Sequence, residues 1–511
     1  MSTTSILKKV SISALILACA GIIRGILGLL SQVFIAYRFG TSSSVDSFLI
    51  ALTVPRFFGD FLVGGTLFFA FIPVFIDWKT KKGEAAAWHL AINFFLIIGV
   101  AMGAVTLIYA VFAPAVMRLL APGFSGETLA LTIKIARVLS PAILIFCLAI
   151  MLRSLLYAYK EFLVPSISGL MYPLTVIIFV YLLTGRFGIY SLVLGAILGA
   201  SIQAFFQLVK VYRLNRCSRF KLDIMSPDLK RIMTLTWPLA WTMLLYQVNH
   251  IVIRIFASSL EKGSIAALNY SYQLINVPIA ILAVSIGTAL FPNISEKLSE
   301  KDITRSRKMT SAAFRMCLFL LVPLSAGLCL LSKPIIRIIF ERGSFNAAST
   351  ALTSGCLLFY SLGLFAMGLN VIAARIFYSL KDTMTPLKVG IVGVAINIIC
   401  AYFLKDIMGA EGLALAFSIY IVVSSVILWV LLDKNNQMVR LSQVIFPVLR
   451  ILAMSAITTV LVYTVFLCTN FIIAVIAGIS GYALLSYIFK MEEFFRIKEM
   501  LASVFLGRQA S

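Results

Sequence analysis

The chain is poor in charge. Of its 511 residues, only 12% are Asp, Glu, Lys or Arg, and 61% are hydrophobic. A soluble domain carries roughly 25% charged residues, because even a large core needs a wet, polar surface. A soluble enzyme, a disordered chain and a small disulfide scaffold are therefore excluded. Histidine is nearly missing: His89 and His250 lie far apart, which gives a His-based metal site little support. The eight cysteines are scattered, mostly inside apolar runs, and none forms a Cys-x-x-Cys pair, so no zinc site or disulfide framework is indicated. There is no Walker phosphate loop, no Gly-x-Gly-x-x-Gly opening a helix after a strand, no His-Glu-x-x-His and no Gly-x-Ser-x-Gly. The expectation is a protein that is not an enzyme, holds no cofactor or metal and does not hydrolyse ATP. Any pumping would draw on the membrane potential or a monovalent ion. Acidic residues inside the apolar runs are scarce as well, which argues against a proton-coupled drug antiporter.

What is present is apolar sequence in long runs. Candidates lie near 10–36, 46–76, 86–117, 129–158, 163–184, 187–212, 231–257, 264–291, 311–340, 349–378, 384–404, 408–432, 443–469 and 471–489. About 14 helices of ~22 residues would use roughly 60% of the chain, which matches the hydrophobic fraction. The fold class read from this is an all-α polytopic membrane protein. The first run begins like a secretory signal, with Lys8 and Lys9 ahead of it and Ala18-Cys19-Ala20 inside it. It continues past Arg24 to Ala36, too long for a signal's apolar core, and is read as a span.

The formal net charge of +23 would suggest nucleic acid in a soluble protein. Here it is read as loop asymmetry, with no nucleic-acid partner. With the N-terminus inside, 28 basic residues fall in cytoplasmic segments and 8 in outer ones. That ratio predicts a multi-pass protein of the bacterial cytoplasmic membrane with both termini cytoplasmic.

An internal repeat is visible. Tyr157-x-x-Lys160-Glu161-x-x-x-Pro165-x-x-x-Gly169 recurs as Tyr378-x-x-Lys381-Asp382-x-x-x-Pro386-x-x-x-Gly390, an offset of 221, and Gly188 and Leu192 match Gly409 and Leu413. Gly123-Phe124 resembles Gly343-Ser344-Phe345. Six helices lie within one offset. Six is even, so both copies enter the membrane in the same sense, and two six-helix bundles related by a pseudo-twofold along the membrane normal are expected. The predicted division is 1–228, ending in a basic cytoplasmic linker, then 229–435, then 436–511 with helices 13 and 14 and a cytoplasmic tail. The linker opens helix-forming sequence at Ser226-Pro227-Asp228 and either lies on anionic membrane lipid or is simply solvated.

Seven basic residues fall within or near apolar runs: Arg24, Arg56, Lys134, Arg137, Arg254, Arg315 and Arg450. A charge at the bilayer centre costs ~2.5–3.5 kcal/mol on insertion scales and needs a partner, a cavity or a function. Arg24 sits mid-run and is read as lining a water-filled cavity that binds an anionic headgroup, since a guanidinium suits phosphate. Arg56 and Asp60 stand at i,i+4 and can pair; a self-neutralising structural pair and a gate or headgroup contact stay open. Lys134, Arg137 and Arg254 fit snorkelling to the outer interface, with cavity lining as the alternative; Arg315 and Arg450 are read as snorkelling. Asp46 lies at the outer end of the second run.

Phe39-Gly40…Asp46-Ser-Phe…Pro55…Gly65…Phe71-Ile72-Pro73, Ala121-Pro122-Gly123-Phe124, Gly287-Thr288…Pro292, Arg342-Gly343-Ser344-Phe345 and Lys381-Asp382-Thr383…Pro386 together resemble the MurJ/MviN family of the multidrug/oligosaccharidyl-lipid/polysaccharide exporter superfamily. The resemblance covers the whole chain. It implies a flippase that moves an undecaprenyl-pyrophosphate-linked glycan, lipid II for peptidoglycan synthesis, from the inner to the outer leaflet by alternating access. It also implies a groove for the polyprenyl tail at helices 13 and 14, and cell-wall synthesis machinery as the protein partner. Several positions depart from the family pattern. Ser31-Gln32 replaces an arginine and its acid. Arg56 takes an asparagine's place and Asp60 an arginine's. Gln273 stands where the family has an arginine. Of the family's charged cavity residues only Asp46 is kept unchanged; together with the residues singled out above, the candidate headgroup set is Arg24, Ser31, Gln32, Asp46, Arg56, Asp60, Arg254 and Gln273. A flippase for another polyprenyl-linked saccharide, and a cation-coupled exporter of small molecules, are the alternatives. A non-transporting membrane scaffold is a third. The oligomeric state is not legible.

Overall fold

A computed structural model describes residues 3–61, 71–214, 247–300, 302–434, 438–439 and 441–506. Every regular element among the described residues is helical, which is what lipid demands of a backbone that must satisfy its own donors and acceptors. Ten of these helices are long and apolar enough to cross a membrane, or up to eleven if the bent pair Ala347–Leu362 and Leu364–Ser379 is one span. One of them, Met384–Lys434, is 51 residues long. At 1.5 Å per residue it measures about 77 Å, more than twice a bilayer core of roughly 30 Å. It breaks at Gly409, where φ 60° and ψ −132° interrupt the helix, so it provides two spans. The two expected runs that these helices do not represent, 46–76 and 231–257, both include residues outside the described ones. Gly64, Gly65 and the linker from 215 onward, with Ser226-Pro227-Asp228, also lie outside them.

The described chain forms two compact units. The first comprises Met1–Ala267 and Phe340–Ser349; the second comprises Leu268–Ile339 and Thr350–Ser511. In the first unit the helices are α1 (Thr3–Phe39), α2 (Ser43–Ala51), α3 (Thr53–Phe61), α4 (Ile72–Lys81), α5 (Glu84–Leu120), α6 (Gly126–Leu139), α7 (Pro141–Ala158), α8 (Leu163–Phe187) and α9 (Tyr190–Leu214). Lipid tails are as apolar as leucine, so helices here associate through close packing rather than through exclusion of water. The pair α8 and α9 shows how: Gly195 and Gly199, four apart, admit the Val176 and Tyr172 backbones so closely that a Cβ would stand 3.1 Å from either Cα. Phe71, Phe75, Trp88 and Phe94 fill a second buried cluster between α4, α5 and α7.

The second unit follows from α10 (Ser264–Pro278), whose first turn still belongs to the first. After Pro278 comes a π-helical turn, Ile279–Ala283, and then α11 (Val284–Ser299). Proline removes a backbone donor, and a wide turn is one way to absorb the loss. Beyond it lie α12 (Ile303–Leu330), α13 (Ser332–Phe340), α14 (Ala347–Leu362), α15 (Leu364–Ser379), α16 (Met384–Lys434), α17 (Leu441–Cys468), α18 (Phe471–Ile488) and α19 (Glu492–Leu506). Arg375 of α15 donates from Nη1 to the Val284 carbonyl at 3.1 Å and to Thr288 Oγ1 at 2.6 Å, bracing the start of α11. Arg315 differs from expectation. It does not reach out alone but pairs with Glu492 at 2.8 Å and Glu493 at 3.2 Å, tying α19 to α12.

The internal repeat reappears in backbone detail. Lys160 and Lys381, 221 apart, both take the left-handed conformation, with φ of 59° and 61°. Each closes its helix in the same way. Lys160 N–H donates to the Tyr157 carbonyl at 2.9 Å and Glu161 N–H to Leu156 at 2.9 Å; Lys381 donates to Tyr378 at 3.0 Å and Asp382 to Phe377 at 2.9 Å. This is the Schellman pattern. Gly188 and Gly409 share ψ −132° at φ 51° and 60°, a region that side chains avoid. A third corner of the first kind follows α18: Lys490 has φ 49° and donates to Tyr487 at 3.1 Å, with Met491 on Ser486 at 3.0 Å.

Candidate functional site

Several polar features stand out in the first unit. They fall into a sealed seam and, one to two helical turns along α2 and α3, a cationic cluster.

The seam begins where α1 ends. Gly40, at φ 58°, turns the chain and donates to the Ala36 carbonyl at 2.7 Å. The next carbonyls are left free for other segments. Tyr37 O accepts from Ser344 N–H at 2.8 Å, Arg38 O accepts from Ser344 Oγ at 3.0 Å, and the Thr41 and Ser349 hydroxyls meet at 2.8 Å. Gly343 lies so close to Tyr37 that a Cβ would run into its carbonyl and ring. A matching contact joins Gly123 to the end of helical stretch 247–258. Gly123 N–H donates to Ser258 Oγ at 3.3 Å, and a Cβ there would strike the Ser258 carbonyl. Tyr37 and Ser258 are themselves 221 apart. The two glycine loops that resemble each other in sequence thus press on two helix ends that correspond under the same offset.

Asp46 closes the seam from a third side. It is buried at 3% exposure, and its carboxylate accepts from Gly263 N–H at 2.6 Å and Ala266 N–H at 2.8 Å. These are donors at the N-terminus of α10, where a helix has no partners of its own and where negative charge is favoured. Both Asp46 oxygens are engaged in this cap.

The cluster gathers two arginines. Arg254 turns inward and donates from Nη1 to the Leu49 carbonyl at 3.1 Å and to Thr53 Oγ1 at 2.5 Å. Its site is where α2 gives way to α3, so it takes up a carbonyl at a helix break. Arg56, half-buried, lies close enough to the Tyr172 side chain of α8 to interact with its phenol electrostatically. His250, one turn before Arg254, lies close enough to both guanidiniums to interact with them electrostatically. Two fixed cations, a phenol and an imidazole in an apolar surrounding can hold an oxyanion by charge-assisted hydrogen bonds. No cluster of three His, Cys, Asp or Glu capable of holding a metal occurs among the described residues.

The other candidates are placed as follows. Arg24 is exposed on α1, with its Cδ alongside Gly169 of α8; it makes no ion pair or hydrogen bond among the described residues. Ser31 is buried and donates to the Gly28 carbonyl of its own helix at 2.7 Å. Gln32 is half-buried and engaged in a polar contact. Asp60 falls in α3, but its side chain is outside the described ones. Gln273 belongs to the second unit and is half-buried. The structure thus brings Arg56 and Arg254 together, with Asp46 nearby along α2. It adds Tyr172 and His250, which the sequence reading did not select. The one available signal was that His250 and Arg254 are i,i+4 in the same apolar run. Lys134 and Arg137 are exposed on α6.

A family model described as lipid II flippase MurJ matches residues 35–482. Among similar proteins, the probable lipid II flippase MurJ of Bdellovibrio bacteriovorus is 26% identical over 450 residues, covering 87% of this chain and 86% of that one. Its counterpart in Rickettsia prowazekii is 29% identical over 414 residues, 80% of either chain. A solved lipid II flippase MurJ in an inward closed conformation is 27% identical and superposes with a TM-score of 0.83 over 93% of this chain and 98% of that one. A multidrug transporter of the MATE family, in an inward-facing conformation, reaches a TM-score of 0.65 over 81% of this chain and 99% of its own at 15% identity, a likeness of fold alone.

Proposed function

The chain belongs to the lipid II flippase MurJ family, and from that premise we propose that it carries lipid II from the inner to the outer leaflet of the bacterial cytoplasmic membrane. It does so as a transporter, with no chemical step. The observation that supports the cargo most directly is the Arg56–Tyr172 and Arg254–His250 cluster. A pyrophosphate is the part of lipid II that such a cluster recognises, and in an apolar surrounding a bidentate guanidinium contact is strong. Arg24, with no polar partner among the described residues, is a further arm for the headgroup.

The transport cycle we propose is alternating access between bundles 1–228 and 229–435, with both termini cytoplasmic and residues 436–511 serving the polyprenyl tail. The seam at Tyr37, Gly123, Ser258 and Gly343 then belongs to the outer side and is closed in this conformation. Opening it requires breaking the three hydrogen bonds to residues 344–349, the Gly123–Ser258 bond and the two bonds that Asp46 accepts from Gly263 and Ala266, a cost of several kcal/mol, at roughly 0.5–3 kcal/mol per bond, that ligand binding must offset. The driving force would come from the membrane potential or a monovalent ion.

The test is complementation of a strain depleted of its lipid II flippase, with lipid-linked precursors identified by mass. Wild-type chain should restore growth and clear accumulated lipid II. Arg24→Ala and Arg254→Ala should insert normally and fail to do so. Rescue by both variants would refute the headgroup reading. Clearance of a different polyprenyl-linked saccharide, with lipid II left to accumulate, would redirect the cargo.

A further inference from the structure

We propose that the corner between α18 and α19 binds the headgroup of a phospholipid that carries both a phosphate and a primary amine, of the phosphatidylethanolamine type. A cavity of about 660 Å³ opens at this corner, within the range of small-ligand sites. Two cations line it, Lys490 and Arg496, and so do two acids, Glu492 and Glu499. Tyr487, Ile488 and Phe495 complete the wall.

The charges are distributed for a zwitterion. Glu492 is held by Arg315 at 2.8 Å and touched only loosely by Arg496 at 3.7 Å, so Arg496 keeps most of its donors. Glu493, buried, anchors α19 to Arg315 and leaves the cavity to its neighbours. Lys490 and Glu499 make no ion pair among the described residues. The comparison with the two related corners is informative. There the residue after the lysine is acidic, Glu161 or Asp382. Here it is Met491, buried at 4%, so the Lys490 ammonium has no acid beside it in the chain.

The location suits a lipid. Tyr487 and Ile488 are 57% and 60% exposed at the end of an apolar span, and α19 sets apolar Phe494 and Ile497 against Glu492, Arg496 and Glu499, the pattern of a helix lying in the interface. The phosphate sits between Lys490 and Arg496, the ammonium donates to Glu499 and Glu492, and the glycerol and first methylenes rest on Tyr487, Ile488 and Phe495. A purely anionic headgroup would leave Glu499 facing a negative charge. A choline headgroup has no N–H to donate. The site does not rest on the transport reading.

The test uses the purified full chain, delipidated in detergent and titrated with soluble dihexanoyl phosphatidylethanolamine, phosphatidylcholine and phosphatidylglycerol, with bound lipid counted by native mass spectrometry. Phosphatidylethanolamine should be retained at least 5-fold more than either competitor. Lys490→Gly favours the same left-handed turn, so it should fold at least as well and lose most of the bound lipid. Glu499→Gln should bring phosphatidylethanolamine down to the phosphatidylcholine level and leave the latter unchanged. Equal retention of all three lipids, a preference for phosphatidylglycerol, or unaltered binding by Lys490→Gly with an unchanged melting temperature would each overturn the assignment.

Discussion

Asp46 and Arg254 show how charge is made tolerable in an apolar chain. Each spends its charge on backbone groups that a helix end or break leaves over: Asp46 on two N–H groups of α10, Arg254 on the Leu49 carbonyl. Asp46→Ala should therefore lose more than an ordinary N-cap. The cap itself accounts for roughly 0.5–2 kcal/mol, and a buried unpaired N–H adds about 1–3 kcal/mol. A drop in melting temperature in detergent would register it, and Asp46→Asn, which keeps one acceptor, should recover part of the loss. Tyr172→Phe should leave the fold intact while freeing Arg56, weakening lipid-linked pyrophosphate binding several-fold in a direct binding assay. Arg56 and Arg254 were legible in the sequence because a guanidinium in an apolar run demands an explanation. Tyr172 and His250 were not. A tyrosine or lone histidine in such a run is ordinarily core, and only the guanidiniums beside them give them a different meaning.

At the scale of elements, the repeat was legible as spacing and proved to be conformation. The Tyr-x-x-Lys signature marks a helix terminus with a left-handed lysine, and Gly188 and Gly409 mark a break with a shared ψ. The seam was hidden for a physical reason. Apart from Asp46, it is made of carbonyls, amides, hydroxyls and missing Cβ atoms, contributed by residues between 135 and 308 positions apart, and none of these carries a periodic or charge signal. Gly343→Ala should force the seam apart, since both the close approach to Tyr37 and the positive φ forbid a side chain. A cysteine placed at Ser344 should then react faster with a membrane-impermeant maleimide than it does in the otherwise unaltered chain. Asp382 offers a pH handle outside the spans. Hydrogen bonds from the Thr385 hydroxyl foremost, and from the Thr385 and Met384 amides, hold its carboxyl below the ordinary value, with Lys388 adding to the effect. A depressed carboxylate contributes support that is fully present above the unfolded pKa and lost as pH falls through the folded one. Hydrogen exchange at Met384 and Thr385, corrected for intrinsic rate, should accelerate below the ordinary carboxylate range, and Asp382→Asn should abolish that step.

For the molecule as a whole, composition alone was enough for class. An apolar fraction of 61% with 12% charge leaves no room for a soluble fold, and the helices follow from lipid's refusal to hydrogen-bond. Basic residues concentrated in alternate loops gave the expected orientation. A phosphatase reporter fused after Ser511 should be silent and one inserted near Gly343 active, the reverse holding for a cytoplasmic fluorophore. The division into units was less legible. Residues 340–349 pack with the first unit although they lie in the sequence of the second, because Tyr37 and Arg38 offer them carbonyls.

That excursion has a consequence in time. A ribosome adds roughly 5–20 residues per second, so the partner of Tyr37 emerges about 15–60 seconds after Tyr37 itself. During that interval the end of α1 stands in the membrane with its carbonyls unclaimed by the segment that will finally cover them. The N-terminal half must therefore either wait in an unfinished form or borrow a temporary companion, and a chain interrupted before residue 340 would be left in that condition for good.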